Sequence, residues 1–257
     1  MGKLKTSGYA PVNGLQMYYE IHGEGKMPLV LIHGGGSTIE TTFGTILPLL
    51  GGKLIAVELQ AHGRTSDRDA PETFEQDADD VAGLLKYLKV DKANFFGFSN
   101  GATTTLQIAI RHPELVNKVV ALSAAYQREG FVPGFFDGFG GATLNSMPEP
   151  LKEGFLKVTP DKARLQTMFE KDVARMVNFT DIPDNAIRSI KAPALVIVSQ
   201  YDPITVEHTI KISRLITGAQ LVVLPGIHGV CIGEMGVNPG SKTPEATVII
   251  IEEFLRG

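Results

Sequence analysis

The side chain best placed in this sequence to do chemistry is Ser99, which lies in the pattern Gly-Phe-Ser-Asn-Gly at residues 97–101. A short apolar run precedes the serine and a helix-forming run follows it, so the pattern predicts a strand, a sharp turn and a helix. Small residues two positions before and after the serine would let the strand and the helix approach closely. The turn would present the Ser99 hydroxyl at the helix N-terminus, where unpaired N–H groups favour developing negative charge.

A serine hydroxyl is a weak nucleophile at neutral pH and needs a base that is itself oriented by a third group. In open parallel sheets the functional groups collect beyond the carboxyl ends of the strands, so the base and the acid should directly follow strands. Asp202 follows an apolar run that ends at Ser199, and His228 follows one that ends at Leu224. The sequence therefore predicts Ser99 as nucleophile, Asp202 as acid and His228 as base, in the chain order nucleophile, acid, histidine.

Alternatives to this assignment stay open at the level of sequence. His62 also follows a predicted strand, which makes it the one rival to His228 as the base. Asp202 precedes a proline, and an Asp-Pro pair is a turn signal in its own right, although that role does not exclude a catalytic one. Cys231 is the only cysteine, so no intrachain disulfide is expected, and we interpret its side chain as a small buried packing group.

Donors for a developing oxyanion are predicted in two backbone segments. Acyl transfer passes through a tetrahedral intermediate whose negative oxygen needs hydrogen-bond donors, typically two backbone N–H groups. The N–H of Asn100, directly after the candidate nucleophile, is one of them. The other should come from the His-Gly-Gly-Gly sequence at residues 33–36, with Gly35 favoured, because glycines after a buried strand permit close approach of the backbone to a ligand.

The elements that must position these residues follow from the pattern of apolar runs. Continuous apolar runs are typical of strands buried on both faces of a parallel sheet, and they occur at residues 28–32 and 194–199. Further strands are predicted at residues 54–58, 93–98, 116–122 and 221–224. An earlier pair of strands, at residues 9–12 and 15–22, should form an antiparallel hairpin. Helices are predicted around residues 43–50, 73–88, 102–110, 206–216 and 244–255. Such alternation predicts an α/β protein with a doubly wound, mostly parallel sheet.

The alternation breaks between residues 125 and 186. A Gly- and Phe-rich stretch at residues 130–141 is followed by apolar side chains at helical spacing on one face: Leu165, Met168, Phe169, Val173, Met176 and Val177. We interpret residues 125–186 as an inserted helical cap, with residues 1–124 and 187–257 forming the core. The cap should supply a mostly apolar pocket for substrate, lined by Phe131, Phe135, Phe139, Met168 and Phe169.

Composition narrows the classes of function. The chain of 257 residues has a net charge of −4, which gives no electrostatic reason to expect a nucleic acid or an acidic membrane as partner. No apolar run is long enough to span a bilayer, and the N-terminus lacks the layout of a signal peptide, so we expect a cytoplasmic protein. Motifs for binding phosphates, zinc or dinucleotides are missing from the sequence, so we expect a small-molecule substrate and neither a metal nor a cofactor.

The motifs that contain the candidate catalytic and oxyanion-hole residues together resemble those of the α/β-hydrolase superfamily, in order and in spacing. The residues that carry the resemblance lie at 33–36, 61–65, 97–101, 201–202 and 226–229, so it covers nearly the whole chain, with the cap least matched. The chain is most similar to a group of esterases, lactonases, cofactor-free peroxidases and carbon–carbon bond hydrolases. The resemblance implies an eight-stranded sheet, a Ser99–His228–Asp202 triad and an oxyanion hole formed by the N–H groups of Gly35 and Asn100.

The leading functional hypothesis is a serine hydrolase that cleaves a small, partly apolar ester, thioester or lactone through an acyl-enzyme on Ser99. The resemblance implies an aspartate at this position for haloalkane dehalogenase or epoxide hydrolase activity, so Ser99 argues against both. One rival is hydrolysis of a carbon–carbon bond next to a ketone, whose acidic substrates would want a basic residue, and no arginine is obvious in the predicted pocket. A second rival is a ligand-binding sensor on the same fold, with negligible turnover. The sequence does not indicate an oligomeric state.

Overall fold

The fold is an α/β sandwich built on one sheet, and the computed structural model describes residues 4–257, so residues 1–3 of the predicted core lie outside it. The strands are Leu4–Val12 (β1), Leu15–His22 (β2), Leu29–Ile32 (β3), Leu54–Val57 (β4), Ala93–Phe98 (β5), Val116–Leu122 (β6), Ala194–Tyr201 (β7) and Gln220–Ile227 (β8). The helices are Ile39–Phe43 (α1), Phe74–Tyr87 (α2), Asn100–Arg111 (α3), Glu149–Val158 (α4), Lys162–Val177 (α5), Asp184–Arg188 (α6), Val206–Leu215 (α7) and Thr243–Arg256 (α8).

The eight strands lie side by side in the order β1-β2-β4-β3-β5-β6-β7-β8. The β1–β2 hairpin and the β2–β4 pair are antiparallel, and every other neighbouring pair is parallel. Asn13 and Gly14 form the two-residue hairpin turn, and both have positive φ, which suits the twist of the two strands. This topology confirms the predicted mostly parallel, eight-stranded sheet.

Apolar side chains cover both faces of the sheet. In β5, Phe95 joins one buried cluster and the next residue, Phe96, joins another on the opposite face. All residues of β3, β4 and β5 are buried, as expected for central parallel strands that helices cover on both sides. The carboxyl ends of these strands therefore open on one edge of a rigid layer, where the candidate residues were predicted.

The predicted helix at residues 43–50 is wrong, because the helix begins earlier and ends at Phe43. Thr38 forms a capping box with Thr41, which fixes the helix start, and beyond Phe43 the chain continues in turns. The predicted start of α2 is confirmed, since the Thr73 side chain accepts a hydrogen bond from the Gln76 N–H at its N-terminus.

Residues 123–193, which connect β6 to β7 and are called the insert below, contain α4, α5 and α6. Its Gly- and Phe-rich stretch forms turns and short 3₁₀ segments. On α5 the apolar face is buried at Leu165 and Met176, whereas Val177 at its end is 46% exposed and was wrongly assigned to that face. Ile182 packs with the main core, so the cap boundaries at residues 125 and 186 remain a prediction. Within residues 4–257, no helix has both the length and the apolar character needed to cross a bilayer.

Candidate active site

Ser99 lies at the turn between β5 and α3, with backbone angles φ 54° and ψ −121°. A non-glycine residue with such a positive φ is strained, and strain of this kind costs about 1–3 kcal/mol. The neighbouring glycines explain why the turn still forms: a Cβ at Gly97 would overlap the carbonyl oxygen of Gly101, and a Cβ at Gly101 would overlap that of Ile32. The Ser99 N–H donates to the Leu122 carbonyl oxygen at 2.9 Å, which ties the turn to β6.

Asp202 and His228 come together from the ends of β7 and β8. The His228 Nδ1–H lies 2.9 and 3.0 Å from the two carboxylate oxygens of Asp202. The carboxylate is nearly fully buried and accepts two further hydrogen bonds, from the Ser123 hydroxyl at 2.6 Å and the Ile204 N–H at 3.0 Å. Asp202 is thus held from three directions, so the imidazole of His228 has a fixed orientation and a fixed tautomer.

Burial and nearby carboxylates have opposite effects on the pKa of His228. Burial lowers the pKa of the imidazole, but the Asp202 carboxylate, helped by Glu234, outweighs burial and raises the pKa above its ordinary 6.5. The Phe98 ring packs on the imidazole, with 4.6 Å between ring centroids. Because Nδ1 is engaged by Asp202, Nε2 is the nitrogen that remains available to exchange a proton with a reacting group.

Residues 34–36, called the glycine loop below, approach the start of α3. A Cβ at Gly35 would lie 2.5 Å from Nδ2 of Asn100, so a larger residue there would displace the Asn100 side chain. The His33 Nδ1–H donates to the Gly34 carbonyl oxygen at 2.7 Å, and His33 Nε2 accepts the Leu59 N–H at 3.0 Å. His33 is therefore neutral, and burial together with the charge of nearby His62 lowers its pKa to about 3.

A cavity of about 430 Å³ joins these groups. Its floor is formed by core residues, namely Gly35, Gly36, Ser99, Asn100 and His228. Its walls come mainly from the insert and include Phe131, Phe135, Phe139 and Phe169, as well as Asp172 and Val173. Phe131 and Phe135 stack on each other with 4.4 Å between ring centroids. The cavity is within the size range of small-molecule sites and is mostly apolar.

Met168 is not part of the cavity wall, which corrects the sequence prediction. Its side chain is fully buried and packs with Phe155, Leu165 and Ala61. A step of one residue along a helix turns a side chain by about 100°, so Phe169 faces the cavity while Met168 faces the body of the protein. Cys231 is also fully buried, within an apolar cluster of the core.

His62, the predicted rival base, is not brought to the cavity. It is fully buried, with Nδ1 donating to the Gln60 carbonyl oxygen at 2.7 Å and Nε2 donating to Asp172 Oδ2 at 2.9 Å. Both ring nitrogens are used, so His62 cannot accept a proton from Ser99.

Asp172 is a cavity residue that sequence analysis missed, and it also accepts the Gly36 N–H. The available signal was a carboxylate placed among the apolar residues of the buried face of α5, between Met168 and Met176. Within residues 4–257 no set of three or more His, Cys, Asp or Glu is arranged to hold a metal ion.

Comparison with known proteins adds to this geometry. A sequence model described as the alpha/beta hydrolase fold matches residues 27–151, which include the glycine loop and Ser99. The chain has the α/β-hydrolase fold. The human serine hydrolase BPHL is 28% identical over 249 residues, covering 87% of this chain and 80% of BPHL.

Two further proteins that are similar to this chain carry different names. A 2-hydroxy-6-oxo-6-(2'-aminophenyl)hexa-2,4-dienoic acid hydrolase from Metapseudomonas resinovorans is 29% identical over 122 residues, covering 46% of this chain and 42% of that protein. The crystal structure of the enol-lactonase from Burkholderia xenovorans LB400 superposes with a TM-score of 0.76 at 22% identity, covering 97% of this chain and all of the other. The family and the names of these relatives support hydrolase activity, but the names do not share one substrate.

Proposed function

We propose that this α/β-hydrolase cleaves small, partly apolar esters, thioesters or lactones through an acyl-enzyme on Ser99. The observation that carries the proposal is the pairing of Asp202 with His228 Nδ1, on the edge of a cavity whose floor also holds Ser99. A base that is oriented by a buried carboxylate and lines the same cavity as a strained, partly exposed serine supports activation of the serine hydroxyl.

The proposed reaction begins with transfer of the Ser99 proton to His228 Nε2 as the hydroxyl attacks the substrate carbonyl. Asp202 stabilises the imidazolium without itself taking the proton. The negative oxygen of the intermediate would be held by the N–H groups of Gly35 and Asn100, the second of which starts α3 and gains from the helix dipole. His228 then protonates the leaving group, and a water molecule activated by His228 releases the acid.

The cavity walls support a preference for uncharged substrates. Four phenylalanines give the insert side of the cavity an apolar surface, and a volume of about 430 Å³ suits a modest-sized acyl or alcohol group. Asp172 lies in the same wall, and the described residues that line the cavity include neither lysine nor arginine. A substrate carboxylate would therefore find no lysine or arginine partner here.

Cleavage of a carbon–carbon bond in a ketone-containing acid is the second candidate, and similarity is the observation that favours it. The relative from Metapseudomonas resinovorans is named for an oxo-dienoic acid. Arg175 lies on α5 near the cavity but is buried and paired with Glu72 and Asp77, so it is not available to a substrate carboxylate. We therefore place this reaction second.

The test is reaction with a fluorophosphonate probe, together with turnover of p-nitrophenyl acetate and butyrate. We expect the wild-type protein to be labelled and to turn over many equivalents of ester, and the Ser99→Ala variant to do neither. Labelling that persists in Ser99→Ala would overturn the proposed nucleophile. Labelling of the wild type without turnover of any ester would favour a ligand-binding sensor or a more specialised hydrolase.

The pH dependence of activity should report on His228. The base works when neutral, so kcat/KM should fall as the pH drops through the pKa of His228, with a midpoint above 6.5 because Asp202 and Glu234 raise that pKa. Glu234→Gln should move the midpoint to lower pH, because one of the two carboxylates that favour the imidazolium is removed. A pH–rate profile of both proteins with p-nitrophenyl butyrate checks this, and a midpoint below 6.5 in the wild type would contradict it.

A further inference from the structure

The glycine loop is held at both of its ends by side chains, and two histidines take part in different ways. At one end His33 donates directly to the Gly34 carbonyl oxygen at 2.7 Å. At the other end the Gly36 N–H donates to Asp172 Oδ2, the same oxygen that accepts the His62 Nε2–H at 2.9 Å. Gly35, the proposed oxyanion donor, lies between these two attachments.

The contacts define the charges of the groups involved. His62 uses both ring nitrogens as donors, so it is an imidazolium, and its ring centroid lies 4.8 Å from that of the neutral His33. Burial lowers the pKa of His62, but Asp172 and Glu72 more than offset burial and raise it to about 9. Burial raises the pKa of Asp172, yet His62, Arg175 and the Gly36 N–H hold it well below its usual range. Asp172 is thus an anion whose charge is compensated beside the glycine loop.

Asp172 belongs to the insert, whereas the loop that it holds belongs to the core. Its helix, α5, is attached to the core by a second buried ionic contact, in which Arg175 Nη2 donates to Glu72 and Nη1 lies 3.2 Å from Asp77 Oδ2. Asp172 and Arg175 are three residues apart and so lie on one face of the helix. The seating of α5 on the core therefore determines where the Asp172 carboxylate meets the glycine loop.

We propose that Asp172 is a positioning residue for the oxyanion hole, holding the glycine loop through Gly36 while His62 fixes and neutralises its carboxylate. The inference rests on the proposed function, because it assigns a partner to the Gly35 donor of that mechanism. Without the Asp172 carboxylate the Gly36 N–H loses its acceptor, and the loop is free to turn Gly35 away from the reacting carbonyl. Loss of a whole oxyanion donor lowers kcat by roughly 10²–10³, so a misplaced donor should cost about tenfold to a hundredfold.

The experiment measures inactivation by a fluorophosphonate, whose P=O oxygen requires the same hydrogen-bond donors. Rates at several probe concentrations separate the maximal inactivation rate from the apparent affinity for the probe. The variants are Asp172→Ala, Asp172→Asn, His62→Gln and the double variant Asp172→Ala/His62→Gln. Glu170→Gln is the matched control, since that carboxylate lies on the exposed side of α5. We expect Asp172→Ala to lower the maximal rate about tenfold to a hundredfold, with less than a threefold change in apparent affinity and no effect of Glu170→Gln.

Asp172→Asn keeps the size of the side chain and one hydrogen-bond acceptor, so it should have a higher maximal inactivation rate than Asp172→Ala. This variant keeps the test valid if the alanine variant does not fold. The double variant should be no slower than Asp172→Ala alone, because His62 acts through Asp172. A folded Asp172→Ala protein that reacts at the wild-type rate, or that loses only apparent affinity, would overturn the positioning role while leaving the proposed function intact. A wild-type protein that does not react at all would overturn both.

Discussion

His228→Ala is expected to lower kcat for ester hydrolysis by about 10⁶, as large an effect as removal of the nucleophile, because the two groups act as one unit. His228 is the histidine that the structure brings to the same cavity as Ser99, with its Nδ1 fixed by Asp202. No neighbouring group can replace it, since His62 and His33 already use both of their ring nitrogens. Steady-state kinetics with p-nitrophenyl butyrate would give the ratio of the two kcat values, with the identity of each protein checked by mass spectrometry.

Asp202→Asn should cost less, about 10⁴ in kcat, because the serine and the base remain while the imidazole loses its fixed tautomer. Here the Ser123 hydroxyl and the Ile204 N–H already donate to the carboxylate, so an amide at this position would have to turn its NH₂ group towards one donor or the other. His112→Ala is the matched control, since His112 pairs with Asp79 on the surface. A His228→Ala variant that keeps a tenth of the wild-type rate would show that the base is another group.

Gly101→Ala is expected to destabilise the fold by roughly 3 kcal/mol or more, although alanine favours a helix over glycine by about 1 kcal/mol. The added Cβ would overlap the carbonyl oxygens of Ile32 and His33, which are backbone atoms at the end of a central strand. Neither atom can move without displacing β3 and the glycine loop. Urea denaturation followed by circular dichroism would measure the change in the free energy of unfolding.

Gly140→Ala serves as the control for that substitution. No atom lies within 4 Å of where its Cβ would be, so the free energy of unfolding should change by no more than about 0.5 kcal/mol. Equal stabilities for the Gly101→Ala and Gly140→Ala proteins would mean that close approach of α3 to β3 is not what requires glycine at position 101.

The sequence was sufficient for features whose signal is local. The strand, turn and helix around Ser99 follow from five consecutive residues, and the parallel sheet follows from short apolar runs that need no partner to be recognised. The positions of Asp202 and His228 follow from one general rule, that polar groups after parallel strands meet at one edge of the sheet. Each of these features has a signal in residues next to one another in the chain, and the general rule supplies the rest.

Features that depend on distant contacts could not be inferred in this way. Asp172 meets Gly36 across 136 positions and His62 across 110, and nothing in the residues around it identifies either partner. Met168 and Phe169 are both apolar and adjacent, so only the seating of α5 decides which of them faces the cavity. The start of α1 was misplaced because the capping box at Thr38 lies before the apolar run on which the prediction depended.

Two different parts of the chain form the cavity surface, and this division is useful for protein engineering. The proposed reacting groups lie on the core, while most of the wall comes from the insert, so wall residues such as Phe135, Phe139 and Val173 can be randomised without changing those groups. Variants with substitutions at those positions should differ in substrate selectivity and retain the same catalytic reaction. Asp172 is the wall position to leave out of such a library, since substitutions there would change selectivity and catalysis together.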